Sequence, residues 1–484
     1  MDPDFELPIS LPSRDSRDLL RALHGQLKAA ILDGRLQPGS RLPPTRALAA
    51  TYGVSRNTAV AAYDLLLSEG YLATRPRAGA YVADVRPRPS GRGAATDAAG
   101  ADSRLQPFWR KSRVPVQLHS PISTRFDFRL GVPDKRLFPF DVWRRLAARA
   151  IRSFAKKPAA YAEPQGVPAL REAIAKHVSF ARAVACRPED IVVTAGSQQA
   201  LDLLARILIS PGRTVVAVEN PGYPPLHAAF AAAGAKIVPV QVDRDGIAVQ
   251  RLPTDARVIC VTPSHQFPLG TTMTTRRRTA LLEFAQAHGA VVIEDDYDGE
   301  FRLAARPLDA LQTLDRSESV FYVGTFSKSL FPEMRLGFVV PPPWARPALV
   351  AAKQCTDWHC AVLEQETLAT FIAEGHLARH VRKMRQVYGA RHQVLLGCLK
   401  RDFHRWLEPI PSAVGLHLAA LSKMPVDIDA LADRARNDGI GIYSLREFYF
   451  GRTARPGLVF GYGAIEERDI VEGLSRVRRL LPKQ

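Results

Sequence analysis

The chain has 484 residues, 46% of them hydrophobic and 24% charged, which is typical of a soluble globular protein. Its formal net charge of +18, from 66 Lys and Arg against 48 Asp and Glu, is compatible with nucleic-acid binding without proving it. The length predicts about three domains or subdomains. No run of about 18 apolar residues is present, so no membrane-spanning helix is expected.

The cysteines are scattered singly along the chain, and no two of them form a CxxC pair. They are Cys186, Cys260, Cys355, Cys360 and Cys398. This spacing predicts free thiols in a reducing compartment and no metal site. The chain starts with an acidic stretch that lacks the apolar core of a secretory signal. A cytoplasmic protein is therefore expected.

Three helical patterns followed by two short strand patterns form the N-terminal part of the chain. Apolar residues recur at helical spacing over Leu19–Ile31. A short helix is predicted over Thr45–Tyr52, where Gly53 ends it, and a third helix begins at the N-cap residue Ser55. The two strand patterns surround a basic turn. This order predicts a winged helix-turn-helix domain (α+β) over residues 1–85.

The third helix begins with side chains that can bind DNA. Arginine pairs with guanine and asparagine with adenine, while hydroxyl groups and other arginines hold phosphates. Double-stranded operator DNA is therefore the predicted partner. The alternative is the solvated surface of a small helical domain. The candidate DNA-contacting residues are Arg41, Arg46, Ser55, Arg56, Asn57, Thr58, Arg75 and Arg77.

Residues 86–125 have the composition of a flexible linker, because they are rich in Pro, Gly, Ala and Asp and little of the segment can fill a core. Phe108 and Trp109 are exceptions, and we expect them to dock on a folded surface. The linker separates the predicted DNA-binding domain from everything that follows.

Over residues 126–484, apolar strand patterns alternate with helix-length segments, which predicts an α/β domain with a mostly parallel sheet. A large subdomain is expected over about 140–344 and a smaller C-terminal subdomain over about 345–484. The strand candidates are Ile191–Thr194, Thr214–Glu219, Lys236–Val240, Val258–Thr262, Val291–Asp295 and Ser319–Gly324.

The most informative stretch is Gly324–Arg335. In it, Lys328 follows a strand candidate and lies close to two hydroxyl residues, Thr325 and Ser327, with Arg335 further along. A lysine amine can form a Schiff base with the aldehyde of pyridoxal 5′-phosphate (PLP), and hydroxyl and guanidinium groups can hold its phosphate. A lone lysine is normally a surface charge, but these neighbours favour a PLP site.

A PLP site also needs an anion cradle, a carboxylate at the pyridine nitrogen and an aromatic residue that stacks on the ring. A cradle is predicted where the first strand leads into a helix, because free N–H groups and the helix dipole attract anions there. Asp295 is the predicted carboxylate, with Asp296 second, and Tyr297 the predicted partner of the 3′ oxygen. Tyr223 is the predicted stacking residue. A solvated acidic loop and an ordinary core tyrosine are the alternatives. The cradle residues are Gly196, Ser197 and Gln198.

Three segments near the N-terminus, Leu27–Pro43, Leu48–Tyr63 and Glu69–Leu72, follow the sequence of the GntR family of bacterial regulators. Over about 70 residues the chain resembles that family, which implies that the helix beginning after Ser55 reads DNA. One departure lies on the wing, where Arg77–Val82 stands in place of a Gly-Ser-Gly-Thr-Phe-like sequence.

The remainder resembles the fold-type I PLP enzymes of the aspartate aminotransferase superfamily, and within it the MocR branch of the GntR regulators. Phe128–Asp134 and Leu137–Pro139 match the opening of the domain in that branch. Tyr161–Gly166 matches a segment whose tyrosine reaches the phosphate in the neighbouring subunit. The resemblance therefore implies a head-to-tail homodimer in which Tyr161 completes the site of the other subunit.

Aminotransferases usually carry an Asn-Pro-x-Gly sequence whose asparagine bonds the ring oxygen of PLP. This chain has Ser264–Gly270 there, with Phe267 in the asparagine column. His265 or Gln266 is expected to replace that asparagine. The change counts against an ordinary aminotransferase.

The enzymes also place an arginine on a late strand to clamp the substrate α-carboxylate, and Gly457–Gly463 has none. Arg452 and Arg455 lie nearby in sequence and are the candidate partners of an effector carboxylate. The sequence thus predicts a transcription regulator that senses PLP or a PLP-reactive amine and controls vitamin B6 or amino-compound metabolism. A working aminotransferase with an accessory DNA-binding head is the first alternative, and a DNA-binding protein that has lost the cofactor is the second.

Overall fold

The structure is a computed structural model. It describes residues 7–12, 18–75, 79–84, 104, 107–111, 124–302, 309–412, 414–451 and 454–482. The chain divides into two compact units, residues 1–102 and residues 103–484, and each is described by itself. Among the described residues, no helix combines the length and apolar character needed to cross a membrane.

The N-terminal unit consists of three helices followed by an antiparallel pair of strands. They are α1 (Leu19–Leu32), α2 (Thr45–Tyr52), α3 (Arg56–Ser68), β1 (Leu72–Arg75) and β2 (Gly79–Val82). Their apolar faces form one core, to which Leu23 and Leu27 of α1, Leu48 of α2 and Leu66 of α3 contribute. The elements have the predicted order of a winged helix-turn-helix.

Two residues determine where α2 ends and α3 begins. Gly53 terminates α2 with a φ of +64°, a left-handed conformation that glycine adopts without strain. The Oγ of Ser55 accepts a hydrogen bond from the backbone N–H of Thr58 at 3.0 Å. This cap holds the first turn of α3 in place, with Arg56 and Asn57 exposed to solvent.

An eight-stranded sheet forms the centre of the second unit. Its strands are β3 (Val192–Thr194), β4 (Val215–Asn220), β5 (Lys236–Asp243), β6 (Gly246–Ile247), β7 (Ala256–Val261), β8 (Val291–Asp296), β9 (Val320–Thr325) and β10 (Gly337–Val340). Their spatial order is β3-β10-β9-β8-β7-β4-β5-β6. The central strands β5, β4, β7, β8 and β9 are parallel, while β10 is antiparallel to β3 and β9. All six predicted strands are present, and the sheet is mostly parallel as expected.

The second unit also contains helices. They are α4 (Pro107–Lys111), α5 (Phe140–Phe154), α6 (Pro168–Arg182), α7 (Ser197–Leu208), α8 (Pro224–Ala232), α9 (Thr275–His288), α10 (Leu311–Leu314) and α11 (Arg346–Asp357). Of these, α7, α8, α9 and α10 contact strands of this sheet. Alternate residues of β4 face opposite sides: Val216 and Val218 join a core with α7 and α8, and Val215 and Ala217 join a core with α9. Burial on both faces explains why the parallel strands are continuous apolar runs in the sequence.

The C-terminal part adds four helices and a small antiparallel sheet. The helices are α12 (Val362–Ala373), α13 (His376–Asp402), α14 (Ile428–Asn437) and α15 (Glu467–Leu480), and the strands are β11 (Leu407–Pro409), β12 (His417–Ser422), β13 (Tyr443–Ser444) and β14 (Gly457–Gly461). The spatial order is β11-β12-β14-β13. The first residue of β12, His417, pairs with Gly461 of β14.

The short helix α4 lies within the segment predicted to be a linker. It packs against α8, the helix that follows Tyr223. The side chain of Phe108 is partly buried, whereas Trp109 is mostly exposed. Most of the predicted linker lies outside the described residues.

Candidate functional site

A cavity lies where the loops that follow the parallel strands come together, as expected because the carboxyl ends of parallel strands share one edge of the sheet. It is lined by Leu130, Gly131, Ser197, Gln198, Tyr223, Thr262, Phe267, Asp295, Tyr297, Thr325, Ser327, Lys328, Pro332, Arg335 and His417. The predicted site residues that the structure brings together in this lining are Ser197, Gln198, Tyr223, Asp295, Tyr297, Thr325, Ser327, Lys328 and Arg335.

Lys328 follows β9, and its amine is held next to a glycine. Its Nζ donates a hydrogen bond to the backbone oxygen of Gly131 at 2.8 Å. A Cβ atom at Gly131 would come within 2.6 Å of that Nζ, so a larger residue would displace the amine. Burial lowers the pKa of Lys328, although the charges of Asp298 and Asp295 oppose this. A lower pKa increases the fraction of neutral amine, which is the nucleophilic form.

The adjacent aspartates at the end of β8 have different partners, because successive side chains of a strand point to opposite faces. Asp296 accepts hydrogen bonds from Arg182 and from the hydroxyl of Tyr322, the latter at 2.7 Å. Burial is the largest single influence and raises the pKa of Asp296, but the charge of Arg182 and the hydrogen bonds from Tyr322 and Arg182 together keep that pKa below its usual value. Asp296 is therefore committed to a contact within the protein.

Asp295 is the carboxylate that faces the cavity. It is only 4% exposed, and its Oδ1 has no hydrogen-bond partner among the residues that the structure describes. Burial, and then the negative charge of Asp296, raise the pKa of Asp295 to about 7. A buried oxygen without a partner is costly unless a ligand supplies the donor. The Oδ1 of Asp296 also lacks a partner among the described residues, but Asp296 does not line the cavity. Of the two aspartates, Asp295 is thus the one available to a bound group.

Anion-binding groups surround the start of α7. Gly196 precedes the helix with a φ of +79°, and a Cβ atom there would lie 3.0 Å from a guanidinium nitrogen of Arg335. That guanidinium donates to the backbone oxygen of Ala195 at 2.9 Å. Ser197 is the first residue of α7, so its N–H belongs to the donors that lack a partner within the helix. The helix dipole and Arg335 both favour an anion at this position.

Two buried hydroxyl groups line the cavity beside Lys328. The Oγ1 of Thr325 donates to the Oγ of Ser327 at 3.1 Å and accepts from the backbone N–H of Ser327 at 3.2 Å. Because Ser327 accepts this hydrogen bond, its own proton is available to a ligand oxygen. The pair can therefore act as a donor to an anion.

Aromatic rings form another part of the lining. Tyr223 and Phe267 meet edge to face with centroids 5.5 Å apart, and Phe267 meets Tyr297 in the same way at 6.1 Å. The hydroxyl of Tyr297 donates to the backbone oxygen of His265 at 2.9 Å. Burial raises the pKa of Tyr223 to about 12, so this ring is neutral at physiological pH.

The structure does not bring His265 and Gln266 into the cavity lining. The Nδ1 of His265 is hydrogen-bonded to Asp298 at 2.9 Å. The side-chain amide of Gln266 donates to the backbone oxygen of Pro221 at 2.9 Å and accepts from the N–H of Leu269 at 3.1 Å. Both side chains therefore form hydrogen bonds within the protein, and these bonds hold the loop between β7 and α9.

Other predicted residues also lie away from the cavity of this chain. Tyr161 is 76% exposed, and its ring lies 4.3 Å from that of Trp358. Arg455 is exposed and does not line the cavity, and Arg452 lies outside the described residues. The structure therefore places no described candidate for an effector carboxylate in the lining.

Six lining residues were not assigned a role from the sequence. They are Leu130, Gly131, Thr262, Phe267, Pro332 and His417. Thr262 is a polar residue at the end of a predicted apolar strand, as Asp295 is, so the same sequence signal marks both. His417 belongs to β12 of the small sheet, and no local pattern marks it as a site residue.

The lining fits a PLP-like group. Asp295 offers an unpaired oxygen to a protonated ring nitrogen, and Ser327, Arg335 and the start of α7 offer donors to a phosphate. Gly131 leaves room beside the lysine amine. Each requirement of the cofactor is matched by a group that lines or adjoins the cavity.

The DNA-binding candidates of the N-terminal unit lie at its surface. Arg41, Arg46, Ser55, Arg56, Asn57 and Arg75 are exposed, and Thr58 is partly exposed. The guanidinium carbon of Arg75 lies 4.5 Å from the ring centroid of Tyr81. Arg77, on the wing turn, lies outside the described residues.

Comparison with known proteins identifies both parts of the chain. Residues 20–82 match the gntR family of bacterial regulatory proteins, and residues 128–453 match aminotransferase class I and II. The probable rhizopine catabolism regulatory protein MocR of Rhizobium meliloti is 37% identical over 95% of this chain and 92% of its own length. The pyridoxine biosynthesis transcriptional regulator PdxR of Corynebacterium glutamicum is 32% identical over 96% of each chain, and the transcriptional regulator TauR of Rhodobacter capsulatus 34% over 96% of each.

Solved structures with the same fold are aminotransferases. The kynurenine aminotransferase of Pyrococcus horikoshii matches with a TM-score of 0.72 and 26% identity, over 78% of this chain and 98% of that chain. The α-aminoadipate aminotransferase LysN of Thermus thermophilus, solved with N-(5′-phosphopyridoxyl)-L-leucine, matches with a TM-score of 0.67 and 28% identity, over 73% and 91%. This likeness implies PLP binding and confirms the predicted fold. With a GntR helix-turn-helix followed by an aminotransferase domain, the chain belongs to the MocR branch of the GntR family of bacterial transcription regulators.

Proposed function

We propose that this regulator is a cytoplasmic protein whose signal is PLP itself or a small amine that reacts with PLP. The proposal rests on one observation above all: the amine of Lys328 and the unpaired carboxylate oxygen of Asp295 line the same cavity in a chain that also contains a DNA-reading helix. The names of PdxR, a pyridoxine biosynthesis regulator, and MocR, a rhizopine catabolism regulator, support control of vitamin B6 or amino-compound metabolism.

In this proposal PLP is held at both ends. Lys328 would hold its aldehyde carbon as an imine, and Asp295 would keep a proton on the ring nitrogen. Tyr223 would stack on the ring, with Tyr297 near its 3′ oxygen. The phosphate would lie among Gly196, Ser197, Gln198, Thr325, Ser327 and Arg335. When bound, PLP supplies an electron sink to an amine attached at its aldehyde carbon.

A homodimer is part of the proposal. Tyr161 has a largely exposed ring outside the cavity of its own chain, which is compatible with donation to the other subunit. A two-headed dimer would bind two operator half-sites, and a ligand that changes the geometry between the heads would change the spacing that they fit. A transamination half-reaction is compatible with this role.

The decisive experiment measures DNA binding with and without PLP and with a panel of amines. An operator fragment is first selected from genomic DNA with the purified full-length protein. We expect PLP, alone or with one amine, to change the affinity or the length of the footprint. Identical binding under every condition would contradict the proposal. Sustained turnover with an amino acid and a keto acid would instead favour an aminotransferase with a DNA-binding head.

Replacing Arg56 by alanine is expected to weaken operator binding by about 1–3 kcal/mol and to relax base preference at one position, because an exposed arginine on the first turn of α3 can pair with guanine. Binding to operator variants, measured at one fixed salt concentration, checks this. Arg21→Ala, at an exposed position on α1, is the matched control. Unchanged base preference in Arg56→Ala would show that Arg56 does not contact a base.

A further inference from the structure

Two polar residues of the cavity, Thr262 and His417, have no part in the proposed binding of PLP. The hydroxyl of Thr262 donates to Glu219 at 2.6 Å, which leaves His417. His417 begins β12, is 1% exposed and lines the cavity. His417 pairs with Gly461 of β14. β14 is the strand that lacks the arginine with which aminotransferases clamp a carboxylate. The small sheet thus contributes an imidazole to the cavity, and the described part of β14 contributes no cation.

The hydrogen bonding of His417 determines which of its atoms can meet a ligand. The Nε2 lies 3.1 Å from the backbone oxygen of Pro268. A carbonyl oxygen can only accept, so Nε2 carries the proton and Nδ1 of the neutral ring is an acceptor. No group in the described part of the chain bonds Nδ1.

The surroundings keep this imidazole neutral. Burial lowers the pKa of His417 well below its usual value, and the nearby His265 and Lys328 lower it further. The rings of His265 and His417 are 4.5 Å apart. A neutral ring cannot form an ion pair with a carboxylate, but its free nitrogen can accept a hydrogen bond from a hydroxyl group.

The charges of the lining also favour a hydroxyl group over a carboxylate beside His417. Lys328 and Arg335 are the only cations among the described residues that line the cavity, and both are used by PLP in the proposed function. A carboxylate placed beside His417 would therefore meet the lone pair of Nδ1 and the apolar ring of Phe267, 5.4 Å away, without a compensating charge. A hydroxyl group would gain a hydrogen bond at the same place.

We infer that His417 selects the effector of this regulator, and that this effector is a small primary amine with a hydroxyl group rather than an amino acid. The nitrogen of the effector would replace that of Lys328 at the aldehyde carbon of PLP: its C=N bond would form as the one to Lys328 breaks, and its two protons would pass to Lys328, which leaves as a free amine. The hydroxyl would donate a hydrogen bond to Nδ1 of His417. This inference rests on the proposed function, since it requires PLP at Lys328.

The test compares three amines of matched size on the full-length protein loaded with PLP: 3-amino-1-propanol, butylamine and β-alanine. Half-saturation is read from the change in cofactor absorbance and from the change in operator binding. We expect 3-amino-1-propanol to half-saturate at about a fivefold lower concentration than butylamine, since one hydrogen bond is at stake, and β-alanine to bind most weakly.

Substitutions of His417 test whether this residue causes the preference for 3-amino-1-propanol. His417→Phe keeps an aromatic ring but removes the acceptor, so the preference over butylamine should fall below about twofold. His417→Gln retains an acceptor oxygen and should preserve part of the preference over butylamine. His288→Phe, at the end of α9 outside the cavity, is the control and should leave the preference unchanged.

The outcomes separate the two proposals. PLP that is trapped by borohydride on Lys328 in wild type and His417→Phe shows that both proteins are folded and loaded. If the loaded wild type then prefers β-alanine, or if His417→Phe keeps the full preference, the assignment of His417 is overturned while the proposed function stands. Failure to trap PLP at all overturns both.

Discussion

Replacing Lys328 by alanine is expected to abolish covalent capture of PLP completely. The reason is that, within the part of the chain that the structure describes, Lys328 is the only lysine lining the cavity, and its amine lies beside Gly131 with a pKa lowered by burial. Borohydride reduction of the PLP-treated protein, followed by peptide mapping, should find a label on the peptide that contains residue 328 in the wild type and none in the variant.

The same variant should still bind operator DNA to the extent that the wild type does without PLP. The helix-turn-helix belongs to a separate compact unit with its own core, so a change in the cavity leaves that core intact. Lys176→Ala, a surface lysine of α6 that pairs with Glu172, is the control and should keep the label. A label that persists in Lys328→Ala, or loss of DNA binding in a folded variant, would contradict this account.

Replacing Asp295 by asparagine is expected to weaken PLP binding by roughly 10- to 100-fold, because a charge-assisted hydrogen bond to the ring nitrogen is lost. Equilibrium titration of the PLP-free protein, followed by cofactor absorbance, measures the effect. Asp202→Asn, on the surface of α7 and paired with Arg206, is the matched control and should bind PLP like the wild type. Equal affinity of Asp295→Asn and wild type would exclude Asp295 as the partner of the ring.

The same substitution should stabilise the PLP-free protein at alkaline pH. The pKa of Asp295 is raised from 3.8 to about 7, so the folded state favours the protonated acid. Its contribution to stability is complete below about pH 4 and is lost as the pH rises through about 7. Asparagine cannot ionise, so Asp295→Asn should raise the melting temperature at pH 8 and change it less at pH 5. Thermal unfolding without PLP at the two pH values checks this; a lower melting temperature for the variant at pH 8 would contradict it.

Much of the fold could be predicted because its signals are local. The periodicity of Leu19–Ile31, the glycine at position 53 and the cap at Ser55 determine the helix-turn-helix through interactions within a few residues. The apolar runs of the sheet were equally clear, since burial on both faces removes polar residues from them. Lys328 and Asp295 were found because each follows such a run.

The residues that were harder to predict depend on contacts between distant parts of the chain. His265 and Gln266 do not line the cavity, because Asp298 and the backbone of Pro221 bind their side chains. Their contact with the ring oxygen stays a prediction. His417 comes from a different sheet altogether.

The sequence by itself determined a DNA-reading helix, a mostly parallel sheet and a lysine with its hydroxyl neighbours, because each depends on residues close together in the chain. The tertiary structure alone decided that Asp295 faces the cavity, since Arg182 from α6 neutralises Asp296 on the other face of β8. It also decided that Gly131 and His417 lie in that cavity, because only the folded chain brings the segment before α5 and the strand β12 to the carboxyl edge of the large sheet.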